Sequence, residues 1–397
     1  MASAVPSRAP EIRTGRYVTP LGGRTTYLRL ERTKPGTTLH VGAQMIGRGG
    51  SIGEGFDVEV GTEPGHDDCG SAVAFRPTLG ESAPVLYAAT STWTSVEDHP
   101  CATARTLYVT IRVPTDRQDV GRTLQVRVYE EPPVSDSSFS LLTTPSPEQW
   151  SELSPALASA VQPAHVVDTA PVVRDGTYAV TLQPGQDDFL SVPVGWGESA
   201  RVQLDAELPA AVDPASPGIT LRLLGPLLDT ADTGDLGTDP EFGATRDRRA
   251  FRTGVLTEVV SYINRDSVDP GVNGADLAGM HYIAVSYVPT DSSPTPLPVR
   301  LTVQIRPGDS SAPLYTDVAG VPAPEADSRL VDGSLTDRPA ASSGAGSASH
   351  PTISEDRSFP WLSIAIALGG VVVIGGLVDL LIQVRRRRRE RYSGRHR

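Results

Sequence analysis

Two stretches of alternating sequence decide the fold. Residues 14–45 read TGRYVTPLGGRTTYLRLERTKPGTTLHVGAQM, and residues 175–208 read DGTYAVTLQPGQDDFLSVPVGWGESARVQLDAEL. Each stretch opens with a G-x-Y triplet, turns at a glycine and continues in an aromatic-led strand that contains Tyr27 or Phe189. Alternation with a period of two residues is typical of half-buried antiparallel strands. The sequence therefore predicts that one fold occurs twice.

The rest of the chain agrees with a β-rich fold. The closing strands also correspond, since LYVTIRVPTD ends at Asp116 and HYIAVSYVPTD ends at Asp291. The chain has 38 Gly and 35 Pro, with only 6% aromatic residues, which favours short strands joined by turns over a helical bundle. We therefore expect a mainly β protein with two tandem antiparallel β-sandwich or jelly-roll domains. The expected core residues are Tyr27, Leu28, Leu30, Leu39, Val41 and Ala43 in the first copy and Phe189, Val192, Val194, Val202, Leu204 and Ala206 in the second.

Seven segments follow from these patterns. In chain order they are a disordered N-terminus (1–12), a first sandwich (13–132), a linker with a short interdomain helix (133–171), a second sandwich (172–307), a disordered stalk (308–357), one C-terminal transmembrane helix (360–384) and a basic cytoplasmic tail (385–397). The stalk is predicted from its Ala/Ser/Pro/Gly/Asp-rich composition. The helix is predicted because Ser146 can cap it, with Pro147 first and Gln149 completing a capping box. Its apolar face would consist of Trp150, Leu153 and Leu157, and Pro155 would kink or end it.

The membrane segment reads WLSIAIALGGVVVIGGLVDLLIQV from Trp361 to Val384, which is long enough to span a bilayer. Five arginines follow directly, and clustered arginine marks the cytoplasmic side: Arg385, Arg386, Arg387, Arg388 and Arg389. We therefore expect a single-pass cell-membrane protein whose N-terminal domains are extracellular. Within the span, Ala365 and Gly369 have a small-xxx-small spacing that would permit homo-oligomerisation. Asp379 is interpreted as a snorkelling or Arg-paired carboxylate, or alternatively as a contact with another membrane protein.

The N-terminus and the two cysteines also indicate an exported protein, and the net charge excludes one class of partner. No apolar signal region occurs in residues 1–10, yet Ala2-Ser3-Ala4 resembles a signal-peptidase site, so we expect an upstream signal or a start codon placed late. The only two cysteines, Cys69 and Cys101, would form a disulfide worth about 3 kcal/mol in an exported protein. The net charge is −12, and because the tail carries +7 the remaining residues sum to −19. An acidic body of this kind argues against nucleic-acid binding.

Three motifs in the sequence are candidates for a chemical role. The G-x-S-x-G string around Ser51 precedes a strand pattern rather than a helix, so it is interpreted as a hairpin turn and not as a nucleophile elbow. The disulfide would gather acidic and histidine residues as a solvated loop tip or, alternatively, as a cation site: His66, Asp67, Asp68, Glu97, Asp98 and His99. A second acidic loop is a possible calcium site, with a solvated loop as the alternative: Asp229, Asp232, Asp235 and Asp239. No other cofactor and no catalytic residue is expected.

The G-x-Y triplet, the glycine turn, the aromatic-led strand and the PG or WG step resemble pre-peptidase C-terminal β-sandwich domains. Residues 11–132 and 172–307 also resemble the membrane-proximal part of actinobacterial surface proteins that carry a von Willebrand A domain, although this sequence has no apolar strand ending in the D-x-S-x-S motif of that domain. This resemblance implies binding or spacing roles rather than catalysis. We therefore expect a non-enzymatic surface protein that presents loops to an envelope protein or glycan. The alternatives are an accessory subunit of an envelope membrane complex and a cryptic secreted hydrolase.

Overall fold

A computed structural model describes residues 3–21, 25–46, 55–75, 85–92, 99–113, 123–135, 142–210, 212, 218–233, 249–288, 295–310 and 312–316. Over these residues the protein is mainly β, as the sequence predicts, and its strands form four sheets. Two one-turn helices also occur, α1 at Pro100–Thr103 and α2 at Pro270–Asn273. Both begin with a proline, which suits the first helical position.

The strands of the described ranges are, in chain order, β1 Glu11–Ile12, β2 Gly15–Pro20, β3 Thr25–Glu31, β4 Thr38–Ile46, β5 Gly55–Gly61, β6 Gly70–Phe75, β7 Val85–Ser91, β8 Thr106–Arg112, β9 Thr123–Glu131, β10 Ser159–Ala160, β11 Gly176–Leu182, β12 Gln186–Val194, β13 Glu198–Glu207, β14 Ile219–Leu224, β15 Ala250–Leu256, β16 Gly279–Tyr287 and β17 Leu297–Pro307. Along β2 and β3, buried residues alternate with residues that are partly or fully exposed. That alternation confirms the period-two pattern on which the prediction rests.

The first sandwich packs the sheet β2-β9-β4-β7 against the sheet β1-β3-β8-β5-β6. Inward-facing residues of both sheets form one apolar core, in which Leu28, Leu39 and Val41 are fully buried. The second sandwich packs β10-β11-β17-β13-β15 against β12-β16-β14 around a separate core that includes Val192 and Val202. Leaving aside the short strands β1 and β10 and the edge strand β6, the two sandwiches have the same strand order.

The same local geometry recurs at the start of each copy. In the first, the hydroxyl of Tyr17 donates to the carbonyl of Arg13 at 2.7 Å and accepts from its amide at 2.8 Å. In the second, Tyr178 makes the same pair of bonds with Arg174, at 2.9 and 3.1 Å. The glycine before each tyrosine has φ near +153° in both copies. A side-chain hydroxyl thus closes the turn before the first strand in both sandwiches, which explains why the triplet repeats.

The predicted interdomain helix is absent: residues 142–158 contain neither helix nor strand and form what we call the strap. The strap runs across the outer face of the sheet that contains β13. Gln203 on β13 accepts the amide of Leu153 at 2.8 Å and donates to its carbonyl at 3.2 Å, as a neighbouring strand would. Thr177 accepts the amide of Ala156 at 2.8 Å. Side chains of the sheet therefore satisfy backbone groups that a helix would have paired internally, and Leu157 is left 96% exposed.

Two predictions of disorder are wrong where the structure describes the chain. Residues 3–12 contain a 3-10 turn at Pro6–Arg8 and the strand β1, which pairs in parallel with β3 and buries Ile12. Likewise, residues 308–310 and 312–316 of the expected stalk are placed against the sandwiches. Tyr315 forms a bridge with Val134, and the amide of Thr316 donates to the carbonyl of Pro133. In both places backbone pairing with a strand or its extension holds a segment that composition alone marks as loose.

The outer face of β9 packs against the second sandwich along a surface that we call the seam. Its members are Gly42, Tyr87, Arg127, Tyr129 and Glu131 of the first sandwich and Phe189, Leu227, Arg265 and Tyr282 of the second. A side chain at Gly42 would overlap the carbonyl of Leu227, so the two backbones approach as closely as glycine allows. The Tyr87 and Phe189 rings meet edge to face, with centroids 6.2 Å apart. The two sandwiches therefore share a packed surface instead of a loose linker.

Candidate binding cleft

A cleft of about 430 Å³ opens where the strap meets the second sandwich. Strap residues 146–151 form one wall, and Arg201, Arg306 and Asp309 form much of the other. Pockets that hold small ligands have volumes of about 300–1,000 Å³. This cleft, which we call the Trp150 cleft, therefore has the size of a ligand site. It lies where the strap, which contains no helix, meets the sheet.

Arg201 anchors the strap wall. It projects from β13 toward the outer face, yet its side chain is only 2% exposed because the strap covers it. One guanidinium nitrogen donates to Glu148 at 2.5 Å and the other donates to Ser151 at 2.6 Å. Charge-assisted bonds from a planar guanidinium fix both partners in direction as well as distance. The wall is thus held in place before any ligand arrives.

Trp150 is the aromatic member of the cleft. It is half-buried, and a Cβ added at Gly254 on β15 would overlap its six-membered ring. The indole therefore lies directly against the backbone of that strand. Only glycine permits so close an approach. The indole is thus held against the sheet, and Trp150 is one of the residues that line the cleft.

The charges that line the cleft are balanced. The lining contains two cations, Arg201 and Arg306, and two carboxylates, Glu148 and Asp309. Asp309 also accepts from the hydroxyl of Ser146 at 3.1 Å, which ties residues 308–310 to the strap. Among the described lining residues there is no histidine or cysteine, so no nucleophile stands next to an imidazole base. The lining offers an aromatic surface with hydrogen-bond donors and acceptors around it.

Comparison with known proteins adds little. No protein-family model matches the chain, and no curated protein matches it. Among solved structures, the CUB1-EGF-CUB2 domain of human MASP-1/3 is similar at 10% identity, with a TM-score of 0.17, over 72% of this chain and 94% of that chain. A TM-score this low carries no argument about fold or function.

The seam contains a buried polar network centred on Glu131, at the end of β9. The Glu131 side chain is fully buried and accepts from His40 at 2.9 Å, from Arg265 at 2.9 and 3.2 Å, and from the hydroxyl of Tyr315 at 2.8 Å. Burial alone would raise the pKa of Glu131, but the Arg265 charge and the hydrogen bonds from His40 and Arg265 outweigh it and lower that pKa to about 2. One carboxylate thus joins both sandwiches to the segment that follows the second.

The predicted calcium set is only partly described, because Asp235 and Asp239 lie outside the described residues. Asp232 has a structural contact, since its carboxylate accepts the amide of Leu223 at 2.9 Å. Asp229 lines a small cavity of about 30 Å³ at the seam together with Asp276, a residue that the sequence analysis did not single out. Burial, followed by repulsion from Asp276, raises the pKa of Asp229 well above its usual value. Calcium binding by the acidic loop remains a prediction.

The disulfide is confirmed. Cys69 and Cys101 are bonded, with Cα atoms 5.3 Å apart. Asp68 caps a turn by accepting from the amide and hydroxyl of Thr62, and His99 accepts the amide of Cys101 at the start of α1. Among the described residues, the single group of three candidate metal ligands is Asp68 with these two sulfurs. Because those sulfurs are bonded to each other, they are not thiolate ligands.

Other predicted residues fall outside the described ranges. These are Ser51, Glu97, Asp98, Ala365, Gly369, Asp379 and Arg385 to Arg389. Within the described part of the chain, no helix has the length and apolarity needed to cross a bilayer. The predicted span at 360–384 lies outside the described residues.

Sequence reasoning found one member of the cleft but gave it the wrong role. It placed Trp150 on the apolar face of a helix, whereas the structure places it against Gly254 in an extended strap. Nothing in the sequence marks Arg201 or Arg306 as a cleft residue, because each occupies an outward position of an alternating strand, where a charged side chain is expected. The run of prolines at 145, 147 and 155 was the available clue that the segment is extended.

Proposed function

We propose that this protein is a non-enzymatic binding or scaffold protein whose two sandwiches present the Trp150 cleft to a protein or glycan partner of the cell envelope. The observation that supports it is the cleft itself, with ligand-site volume, a fixed aromatic surface and preorganised polar groups. Rigid walls reduce the entropy lost when a partner binds. The cleft is built by residues from the strap, from β13 and β17, and from the segment after β17, so it depends on the folded second sandwich.

The two sandwiches act as copies of one jelly-roll unit in this proposal. Numbering the strands of the first copy from β2 to β9 gives the orders 1-8-3-6 and 2-7-4-5, which are those of a jelly roll with two Greek keys. The described strands of the second copy follow the same orders without the fifth strand. Since one fold hosts many functions, this topology supplies the framework, and the cleft supplies the functional argument.

The proposed location is the outer side of the cytoplasmic membrane, with residues 360–384 as a single-pass anchor and Arg385 to Arg389 inside. The sequence of the span supports it. The Cys69–Cys101 disulfide supports it independently, because structural disulfides persist in oxidising compartments. Protease added to intact cells should then digest the sandwiches. Protection of the sandwiches on intact cells, with digestion only after lysis, would contradict this topology.

Photo-crosslinking of the full-length chain in its native membrane tests the binding role. A photoreactive residue at Gln149, which is exposed and lines the cleft, should capture a partner. The same residue at Leu157, which is 96% exposed on the same strap but outside the cleft, is the matched control. Equal capture at both positions, or none at Gln149 in a folded protein, would refute the cleft as the binding site.

A further inference from the structure

We infer that the Trp150 cleft takes an uncharged sugar, as the end or branch of a glycan; this rests on the proposed binding function. A pyranose ring presents an apolar C–H face and a rim of hydroxyl groups. Its recognition therefore requires an aromatic surface beside polar groups that both donate and accept. The cleft places these two features together.

The aromatic requirement is met by Trp150. Its ring lies against the backbone at Gly254, and the strap that carries it is hydrogen-bonded to the sheet on its C-terminal side at Leu153 and Ala156. On the N-terminal side, the amide of Glu148 donates to Glu258 at 2.8 Å. The indole thus has little freedom to lose when a sugar ring packs on it, which favours binding.

The polar requirement is met around the indole. The hydroxyls of Ser146 and Ser151 and the amide of Gln149 can each donate and accept, while the Arg306 guanidinium donates and the Asp309 carboxylate accepts. Sugar hydroxyls do both as well, so either kind of partner can be satisfied. A hydrocarbon ligand would leave these groups without water or a partner, which is unfavourable.

The charge balance selects against acidic ligands. Arg201 is the most buried cation of the cleft, and Glu148 already neutralises it at 2.5 Å. The lining also contains one exposed cation, Arg306, and one further carboxylate, Asp309. A site for sialylated, uronic or phosphorylated ligands is favoured by an excess of cations over carboxylates in its lining. The lining has two of each sign, and an uncharged sugar fits it best.

The test uses the full-length protein in nanodiscs, with binding measured by titration calorimetry and tryptophan fluorescence. The probes are neutral oligosaccharides built from glucose, mannose, galactose or N-acetylglucosamine, the same sugars carrying uronic or sialic acid, and short neutral peptides. At least one neutral sugar should bind more tightly than every acidic one. Trp150→Ala should weaken that binding by about tenfold or more, equivalent to about 1.4 kcal/mol, whereas Trp150→Phe should retain part of it.

Matched variants separate the site from general damage. Arg306→Ala should weaken neutral-sugar binding, while Arg300→Ala, an exposed arginine on the same face of β17 and outside the cleft, should not. Leu157→Ala is the corresponding strap control, and circular dichroism verifies folding. Preferred binding of acidic sugars or peptides, still sensitive to Trp150→Ala, would overturn the inference and leave the proposed function standing. A folded protein that binds no neutral sugar also overturns the inference. Crosslinking at Gln149 that is no greater than at Leu157 would overturn both.

Discussion

Replacing Glu131 with alanine should destabilise the seam between the two sandwiches. The change removes the carboxylate that pairs with Arg265 and accepts from His40 and Tyr315. Arg265 then remains at the seam, with Asp276 as its nearest carboxylate at 3.7 Å. We expect the free energy of unfolding to fall by about 3 kcal/mol, because a buried ion pair broken on one side costs roughly 3–5 kcal/mol and Asp276 offsets part of that cost.

The pKa of Glu131 supports the same magnitude. It drops from 4.5 to about 2 on folding, and each unit corresponds to about 1.36 kcal/mol, so the ionised form contributes about 3 kcal/mol. Because the pKa is lowered in the folded state, this contribution is fully present above pH 4.5. It is lost as the pH falls from 4.5 toward 2. Glu131→Ala should lack this part of the acid dependence.

Urea denaturation followed by tryptophan fluorescence measures both effects. Glu11→Ala, which removes an exposed ion pair with Arg29, is the control and should change the free energy of unfolding far less than Glu131→Ala does. The double variant Glu131→Leu with Arg265→Leu should be more stable than the sum of the two single losses implies, since it leaves no unpaired charge. A loss below about 1 kcal/mol for Glu131→Ala, or strict additivity in the double variant, would refute the reasoning.

Three further predictions concern other parts of the fold. Burial lowers the pKa of His281 to about 4, against the weaker opposing effect of its hydrogen bond to a backbone carbonyl. The free energy of unfolding should therefore fall as the pH drops from 6.5 to 4, and His281→Leu should remove that part of the pH dependence. An unchanged slope in the variant would contradict this. Replacing Cys69 and Cys101 with serine should cost about 2–5 kcal/mol, measured by thermal melting, and a loss under 1 kcal/mol would argue against it. Gly254→Ala should displace Trp150 and destabilise the protein by about 1–3 kcal/mol; an unchanged Trp150 emission spectrum and melting temperature would refute this.

The sequence predicted the repeated β architecture well because local rules govern it. Period-two alternation marks the inward positions, so Leu28, Leu39 and Val202 were correctly assigned to the cores. The G-x-Y triplet was recognised as a repeat, and its physical reason, a tyrosine hydroxyl bonded to the turn before the strand, became visible only in three dimensions. The cysteine pair was also correct, since two cysteines leave one pairing.

The outward positions could not be predicted in this way. Arg127 and Glu131 on β9 have the polar character of solvent-facing residues, yet the second sandwich buries both. Gln203 on β13 is likewise polar and outward, and the strap buries it. Alternation shows which side of a strand faces its own core, but it does not show what packs on the other side. The seam and the cleft both form on those other sides, so sequence reasoning missed them.

The segment around Tyr315 determines which contacts break first when force is applied to the chain that follows it. Tension there reaches the short pairing with residues 133–135 and the Tyr315–Glu131 bond before it reaches β17. Such a pairing peels one contact at a time, whereas β17 is clamped between two neighbouring strands. A modest load would thus release residues 312–316 and strip one partner from Glu131 while both sandwiches remain intact.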